Sequence, residues 1–307
     1  MRIDITVAIC TWNRAALLDQ TLACLAKLDV PAGLRWELIV VDNNSTDDTA
    51  LVLAKHSDRL PLVSLKEAKQ GHSHARNRAV AAARGPLVLW TDDDVLVPAH
   101  WLAEYVTAAA RLPTASWFGG PVRPWFESPP PSWIADNLSE LGICWALLDY
   151  GPDVREMKPP EYVYGANIAF RTEVMKRFPF DPAYGRVGTQ LSSGDETRVQ
   201  DAVAAAGGHG VWIGTAPVDH FLPARRMTVS HARNILYWMG HRGYAPFADD
   251  AAPRILGAPR WLWKRYLTAA VHRRRLSLKK NPAWVAALKD EAKSAGLLRR
   301  FREEAGK

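Results

Sequence analysis

Three consecutive carboxylates, Asp92-Asp93-Asp94, directly follow the apolar run Leu87-Val88-Leu89-Trp90. Adjacent Asp side chains repel one another unless a positive charge lies between them, and hard divalent cations take carboxylate oxygens. A second acidic pair, Asp195-Glu196, ends a glycine- and serine-rich stretch running from Gly185 to Gly194. A carboxylate presented by such a loop can serve as a general base, or it can simply complement the dipole of a helix it opens. His220, in Val218-Asp219-His220-Phe221, is of a type that joins acids around a metal, and Arg225-Arg226 beyond it suits phosphate.

The elements that must position these groups alternate in type. Ile3 to Cys10 is rich in β-branched residues and reads as a strand, followed by the turn Thr11-Trp12-Asn13-Arg14. Leu17, Leu18, Thr21, Leu22, Leu25 and Leu28 then recur at helical spacing. Trp36 to Val41 is a second strand ending on Asp42-Asn43-Asn44-Ser45-Thr46-Asp47, which can also cap a helix over residues 48–56. A short strand around Leu62 to Leu65 and a helix from Gly71 to Arg84 lead, through Gly85-Pro86, into the buried strand that carries the three acids. Strands alternating with helices imply a parallel sheet with right-handed crossovers. The polar clusters ending the first, second and fourth strands therefore face one edge, where open α/β sheets bind ligands.

Beyond the acids, Pro98 to Arg111 reads as a helix and Ser116 to Val122 as a strand. Pro124 to Trp133 is a Pro- and Trp-rich excursion whose rings suit either stacking on a sugar or packing between subdomains. Gly165 to Arg171 and Val211-Trp212-Ile213 return as strands, and Asp195-Glu196 opens a helix ended by Gly207-Gly208. No Gly-x-Gly-x-x-Gly follows the first strand, and no Gly-x-x-x-x-Gly-Lys-Ser/Thr occurs. A nucleotide here would be held by side chains and a metal, without a glycine cradle.

The formal charge of +7 is uneven: residues 254–307 carry 15 Lys/Arg against 4 Asp/Glu, and the rest of the chain carries 24 against 28. In that tail Trp261, Trp263, Tyr266 and Trp284 interleave with Lys264, Arg265, Arg273, Arg274, Arg275, Lys279 and Lys280. Such segments suit an anionic membrane surface or an acidic ligand, and equally a solubilising tail packed on the core. No nucleic-acid recognition motif is present, so no nucleic-acid partner is expected. No apolar run reaches membrane-spanning length, no signal-peptide pattern opens the chain, and Cys10, Cys24 and Cys144 match no zinc or disulfide spacing. A cytoplasmic protein, peripheral at the inner membrane face if the tail binds lipid, is the expectation.

The ordered set Thr11-x-Asn13-Arg14, Val41-Asp42-Asn43-Asn44-Ser45-Thr46-Asp47, Gly71-x-x-x-Ala75-Arg76-Asn77-Arg78, Asp92-Asp93-Asp94, Gly165-Ala166-Asn167-x-Ala169-Phe170-Arg171, Gly194-Asp195-Glu196-Thr197 and His220 resembles the family 2 inverting nucleotide-sugar glycosyltransferases. The resemblance covers residues 3–245 and implies the GT-A fold, a Rossmann-like, mostly parallel sheet flanked by helices. A division into 1–245 (nucleotide-binding half 1–97, acceptor and catalytic half 98–245) and a basic helical extension, 246–307, follows.

The same resemblance implies site roles. Thr11, Asn13, Arg14, Asp42, Asn43, Asn44, Gly71 and Arg76 would contact the nucleotide, with uracil the expected base. Asp92 and Asp94 would form the family's Asp-x-Asp, binding Mn²⁺ or Mg²⁺ and the sugar-ribose side, with Asp92 and Asp93 also against the nucleotide-sugar and His220 a further metal or phosphate contact. Trp117, Ala166 and Asn167 would line the acceptor or donor-sugar pocket. Relatives commonly read Asp-Asp-Gly-Ser where this chain reads Asp42-Asn43-Asn44-Ser45, and Glu-Asp where it reads Asp195-Glu196. Position favours Glu196 as the base and residue type favours Asp195. The implied activity is metal-dependent transfer from a nucleotide-sugar, a UDP-sugar, to a glycan, lipid-linked or small-molecule hydroxyl, in cell-surface polysaccharide or glycolipid synthesis. A sugar nucleotidyltransferase and a non-catalytic nucleotide- or membrane-surface-binding protein are the alternatives. The first normally carries a Gly-rich loop after strand one, which Thr11-Trp12-Asn13-Arg14 does not supply.

Overall fold

The computed structural model describes residues 2–185, 194–242, 252–277 and 280–305. The Gly/Ser loop before Asp195, Lys279 and the boundary drawn at 245/246 lie outside the described residues. Two compact units emerge: Met1–Trp125 with Leu148–Phe221, and Phe126–Leu147 with Leu222–Lys307. From Phe126 onward the Pro/Trp excursion thus groups with the C-terminal helices, whereas the expected boundary was drawn at residue 245.

The first unit begins β1 (Ile5–Thr11), α1 (Ala15–Leu25), β2 (Trp36–Asp42), α2 (Thr49–His56), β3 (Leu62–Lys66), α3 (His72–Ala82) and β4 (Leu87–Trp90). It continues with β5 (Val95–Leu96), α4 (Trp101–Arg111), β6 (Trp117–Gly119) and β7 (Val122–Phe126). Eight strands form the central sheet in the order β3-β2-β1-β4-β9-β6-β10-β8, where β8 is Val154–Glu156, β9 Ile168–Arg171 and β10 Gly210–Ile213. β3, β2, β1 and β4 run parallel, β9 is antiparallel to β4 and β6, and β8 is antiparallel to β10. β1 and β4 are buried along almost their whole length because helices cover both faces of a parallel sheet, which is why they read as unbroken apolar runs. α1 buries Leu18, Thr21, Leu22 and Leu25, one stripe at helical spacing.

Two expectations for the latter half change. The single strand anticipated from Ser116 to Val122 is two, split by Gly120-Pro121, and β7 joins a separate sheet ordered β5-β11-β7, with β11 at Val218–Leu222. Pro124 is tolerated in β7 because that strand lies at the sheet's edge. Gly165–Asn167 forms a tight 3₁₀ turn, and only Ile168–Arg171 is extended. α7 (Thr172–Arg177) and α8 (Asp195–Ala205) complete this unit.

The second unit contains the short helices α5 (Ser132–Ala135) and α6 (Leu138–Leu141), then α9 (Val229–Arg242), the hairpin β12 (Arg254–Ile255) and β13 (Ala258–Pro259), α10 (Arg260–Arg275) and α11 (Pro282–Ala305). Its core gathers Trp133, Trp145 and Trp284. The Trp133 ring meets Trp145 and Trp284 edge-on, with 5.7 Å between centroids in each pair. These tryptophans are packing residues, so the stacking platform allowed by the sequence is not at Trp133 or Trp145. Among the described residues no helix is long and apolar enough to cross a membrane.

Candidate active site

The acids that follow β4 are held by the loop that follows β1. Arg14 Nη1 donates to Asp93 Oδ1 (2.7 Å) and to Asp94 Oδ2 (2.6 Å), and the Thr11 hydroxyl donates to Asp93 Oδ2 (2.8 Å). Thr21 of α1 donates its hydroxyl to Asp93 O and accepts from the Val95 N–H, which ties the acidic turn to the first helix. The Arg14 guanidinium lies between Asp93 and Asp94 and lessens their repulsion, yet burial and the Asp94 charge still raise Asp93 to about 7. Thr11 and Arg14, expected against the nucleotide, brace the acidic turn.

His220 reaches the same place through β-pairing. β11 runs antiparallel to β5, with His220 opposite Val95, and the Phe221 N–H donates to Asp94 O (2.9 Å). His220 Nε2 lies 3.5 Å from Asp94 Oδ1 and 3.9 Å from Asp92 Oδ2, and donor atoms of the three residues lie within 4.8 Å of one another. A divalent ion about 2.1 Å from each donor separates donors by about 3 to 4.2 Å, and both His220–carboxylate distances fall in that range. Arg14, by holding Asp94 Oδ2, leaves Oδ1 turned to His220 and orients the carboxylate as outer ligands do.

The second acidic pair opens α8 and meets α3. Arg76 is buried, with Nη1 3.2 Å from Asp195 Oδ1 and 3.6 Å from Glu196 Oε2. Its guanidinium lies over the rings of Phe180 (4.9 Å) and Trp90 (5.7 Å). The Ser73 hydroxyl donates to Asp195 Oδ2 (3.0 Å). A Cβ on Gly165 would stand 2.0 Å from Arg76 Nη2, which explains glycine at the start of the Gly165-Ala166-Asn167 turn. Burial pushes Asp195 up, but the Arg76 charge and the bonds from Glu196 and Ser73 outweigh it and hold this carboxyl well below the usual range. Burial and the neighbouring Asp195 raise Glu196 to about 7 against the pull of Arg76. The two carboxylates thus divide: Asp195 stays ionised as a buried counter-ion, and Glu196 is poised to exchange a proton near neutrality. Cys10, near the end of β1, is buried within reach of the charges of Arg76, Asp92, Asp93 and Asp195, and burial pushes its thiol up.

Asn13, Asn43 and Asn44 are occupied by the loops themselves. Asn43 Nδ2 donates to Glu67 O and Lys69 O (2.8 Å each), and its Oδ1 accepts from the Gly71 N–H. Asn44 Nδ2 donates to Ala68 O, and Asn13 Oδ1 accepts from the Thr46 N–H. Asn13 and Asn44 both take positive φ (53° and 68°), which Asn tolerates better than most residues. These amides shape the crevice wall, and Asp42 Oδ1 accepts from the Ser45 N–H. Gly71, at φ 143°, delivers α3 into the site.

Two of the residues expected in the sugar pocket do not face it. Asn167 is fully buried with its amide saturated: Oδ1 accepts from Trp101 Nε1 (2.9 Å) and the Tyr105 hydroxyl (2.8 Å), and Nδ2 donates to Pro121 O and Ala216 O. Trp117 pairs with Phe170, two residues back from the Gly119–Ile168 pair at the site edge, and its ring covers Gly210. Ala166, also buried, lies in the turn beside Arg76. Ser73, Trp90, Phe180 and Gly165 took no part in the expected site. Only Gly165 lay in a recognised motif; Ser73 and Phe180 carry no local signal.

The family model described as Glycosyl transferase family 2 matches residues 6–171. Among curated proteins, Validoxylamine A glucosyltransferase of Streptomyces hygroscopicus subsp. jinggangensis is 35% identical over 108 residues, 34% of this chain and 25% of that protein. Succinoglycan biosynthesis protein ExoM of Rhizobium meliloti is 28% identical over 148 residues, 47% of each. These matches span between a quarter and about half of the relatives' lengths. Among solved structures, S. aureus TarS 1–349 in complex with UDP superposes with a TM-score of 0.56 at 17% identity, covering 99% of this chain and 92% of that one. The mannosyltransferase PcManGT of Pyrobaculum calidifontis, in complex with GDP-Man and Mn²⁺, gives 0.58 at 19% identity, covering 99% and 88%. The mostly parallel sheet flanked by helices is the architecture shared with these GT-A neighbours. By the matched half of its sequence and the fold around its acidic strand end, this chain belongs to glycosyl transferase family 2.

Proposed function

We propose that the chain is a metal-dependent, inverting glycosyltransferase that moves a sugar from a UDP-sugar to an acceptor hydroxyl, with Glu196 as base. The observation that carries this reading is the division of labour between the two acidic groups: Asp92, Asp94 and His220 form a cation-sized donor set, while Arg76 separates the proton affinities of Asp195 and Glu196. TarS with UDP-GlcNAc and PcManGT with GDP-Man support a nucleotide-sugar donor. The polysaccharide role in the name of ExoM supports a glycan acceptor.

In this mechanism Glu196 takes the proton of the acceptor hydroxyl as that oxygen attacks the anomeric carbon. The bond from the anomeric carbon to the diphosphate oxygen breaks, and the nucleoside diphosphate leaves with the electron pair. One displacement through an oxocarbenium-like transition state inverts the centre. A Mn²⁺ or Mg²⁺ ion held by Asp92, Asp94 and His220 would neutralise charge on the leaving diphosphate. Arg14 keeps Asp94 oriented, and Asp195 with Arg76 holds the helix start that presents Glu196.

Calorimetric titration of UDP, GDP, CDP and dTDP, each with and without Mn²⁺, tests the reading. Tight UDP binding that requires the metal is expected. Metal-independent binding, or no binding of any nucleotide, would overturn it, and preference for GDP would replace the donor base alone.

A further inference from the structure

Four strongly exposed apolar side chains of the second unit fall within one short segment: Ile255 (48% exposed), Leu256 (72%), Leu267 (57%) and Val271 (47%). Leaving such groups in water is unfavourable, and when they cluster they mark a surface that meets something apolar. Ile255 and Leu256 lie at the tip of the β12–β13 hairpin, where Leu256 takes a positive φ of 50°. The hairpin is fastened to the start of α10: Trp263 Nε1 donates to Ile255 O (2.9 Å) and the Arg260 N–H to Pro253 O (2.7 Å). Leu267 and Val271 are one turn apart on α10, on the side opposite the buried Leu262 and Ala269.

Cations rim this ridge. Arg260, Lys264, Arg274 and Arg275 share the exposed face with Leu267 and Val271, and α10 contains no acidic residue. Arg265 and Arg273, on the sides turned toward α11, pair with its Asp290 and Glu291, whereas the four on the face pair with no carboxylate among the described residues. An apolar ridge between unneutralised cations is the pattern of an element lying in a bilayer interface.

We propose that the outer face of α10 and the β12–β13 tip form a docking surface for an anionic phospholipid bilayer. Leu256, Leu267 and Val271 enter the boundary between headgroups and acyl chains, and Arg260, Lys264, Arg274 and Arg275 meet lipid phosphates. Charge excludes a second copy as the occupant, since a two-fold contact would bring this cationic face against itself. Nucleic acid fits poorly because the centre of the face, where a phosphate backbone would lie, is aliphatic.

The test is flotation of the full chain with phosphatidylcholine vesicles, with and without phosphatidylglycerol. Binding to the anionic vesicles that falls with salt is expected, with little binding to phosphatidylcholine alone. K264E/R274E should weaken binding more than about tenfold, each basic residue near an anionic surface contributing about fivefold. L267Q/V271Q, with every charge intact, should weaken it about tenfold or more. Unchanged melting curves and unchanged UDP titrations in both variants keep the result separate from the proposed transferase chemistry. Equal binding to both vesicle types, or full binding by either double variant, would overturn the proposal. So would a dimer that L267Q/V271Q dissociates in a chain that ignores lipid.

Discussion

Arg76 and Asp195, 119 residues apart in sequence, form a buried ion pair with Nη1 3.2 Å from Oδ1. Phe180 and Trp90 exclude water from the guanidinium, and Gly165 leaves room for its second nitrogen. Removing one partner strands the other charge, which costs about 3–5 kcal/mol for a buried pair. Arg76→Gln is therefore expected to lower stability and to raise the proton affinity of Glu196. Arg76→Lys retains the charge and isolates the effect: its activity limb should move to higher pH by less than that of Arg76→Gln, with a smaller loss of Tm. Gly165→Ala, which pushes on Nη2, should shift the limb in the same direction. Profiles superimposable on the parent in all three would disprove the coupling.

The pH dependence of transfer follows from Glu196. Its carboxyl, raised to about 7 by burial and by Asp195, must be ionised to accept a proton. The value of kcat/KM should therefore rise as pH increases towards 7 and level off above it. Asp195, held well below the usual range, stays ionised throughout and adds no second limb. Glu196→Gln should lower kcat by about a thousandfold and leave UDP affinity unchanged. Near-parent turnover in that variant would remove Glu196 from the mechanism.

Metal dependence should divide by residue. Asp94→Asn and His220→Ala should each weaken Mn²⁺-supported UDP binding while leaving metal-free binding as it was. Arg14→Gln touches no ion, yet by releasing Asp94 Oδ2 it should cost about 10–100-fold in metal affinity, the range seen for outer ligands. Titration of Mn²⁺ into the UDP complex of each variant measures this. Parent-like affinity in His220→Ala would reduce the site to the two aspartates.

Asn167 should prove structural. Asn167→Ala strands Trp101 Nε1 and Ala216 O, while the Tyr105 hydroxyl keeps the Asn167 carbonyl and Pro121 O keeps the Val218 N–H. At about 1–3 kcal/mol for each stranded buried group, a loss of about 2 kcal/mol or more is expected, or roughly 4–8 °C in Tm. The pH limb of any remaining activity should not move. Calorimetric melting and the pH profile together check it.

The sequence by itself determined the sheet and its working edge. Buried parallel strands must be apolar throughout, so Leu87-Val88-Leu89-Trp90 announced β4, and polarity at its end announced the site. Alternation of β1, β2 and β4 with helices placed three strand ends on one edge. The antiparallel insertion of β9 between β4 and β6 was not legible, because strand direction leaves no mark on short apolar runs. Tertiary structure alone decided what each polar side chain does. Asn43, Asn167 and Arg14 look like ligand contacts by type, yet the fold offers them backbone carbonyls or acids at bonding distance, and they bind those. Trp117 and Trp133 look like sugar platforms, yet neighbours such as Gly210 and Trp284 close over them. His220 meets Asp94 only because β11 pairs with β5, and Arg76 divides Asp195 from Glu196 only because α3 and α8 converge. Local pattern specifies which groups face inward; the partner of a hydrogen bond or ion pair depends on chain segments from 24 to 119 residues away.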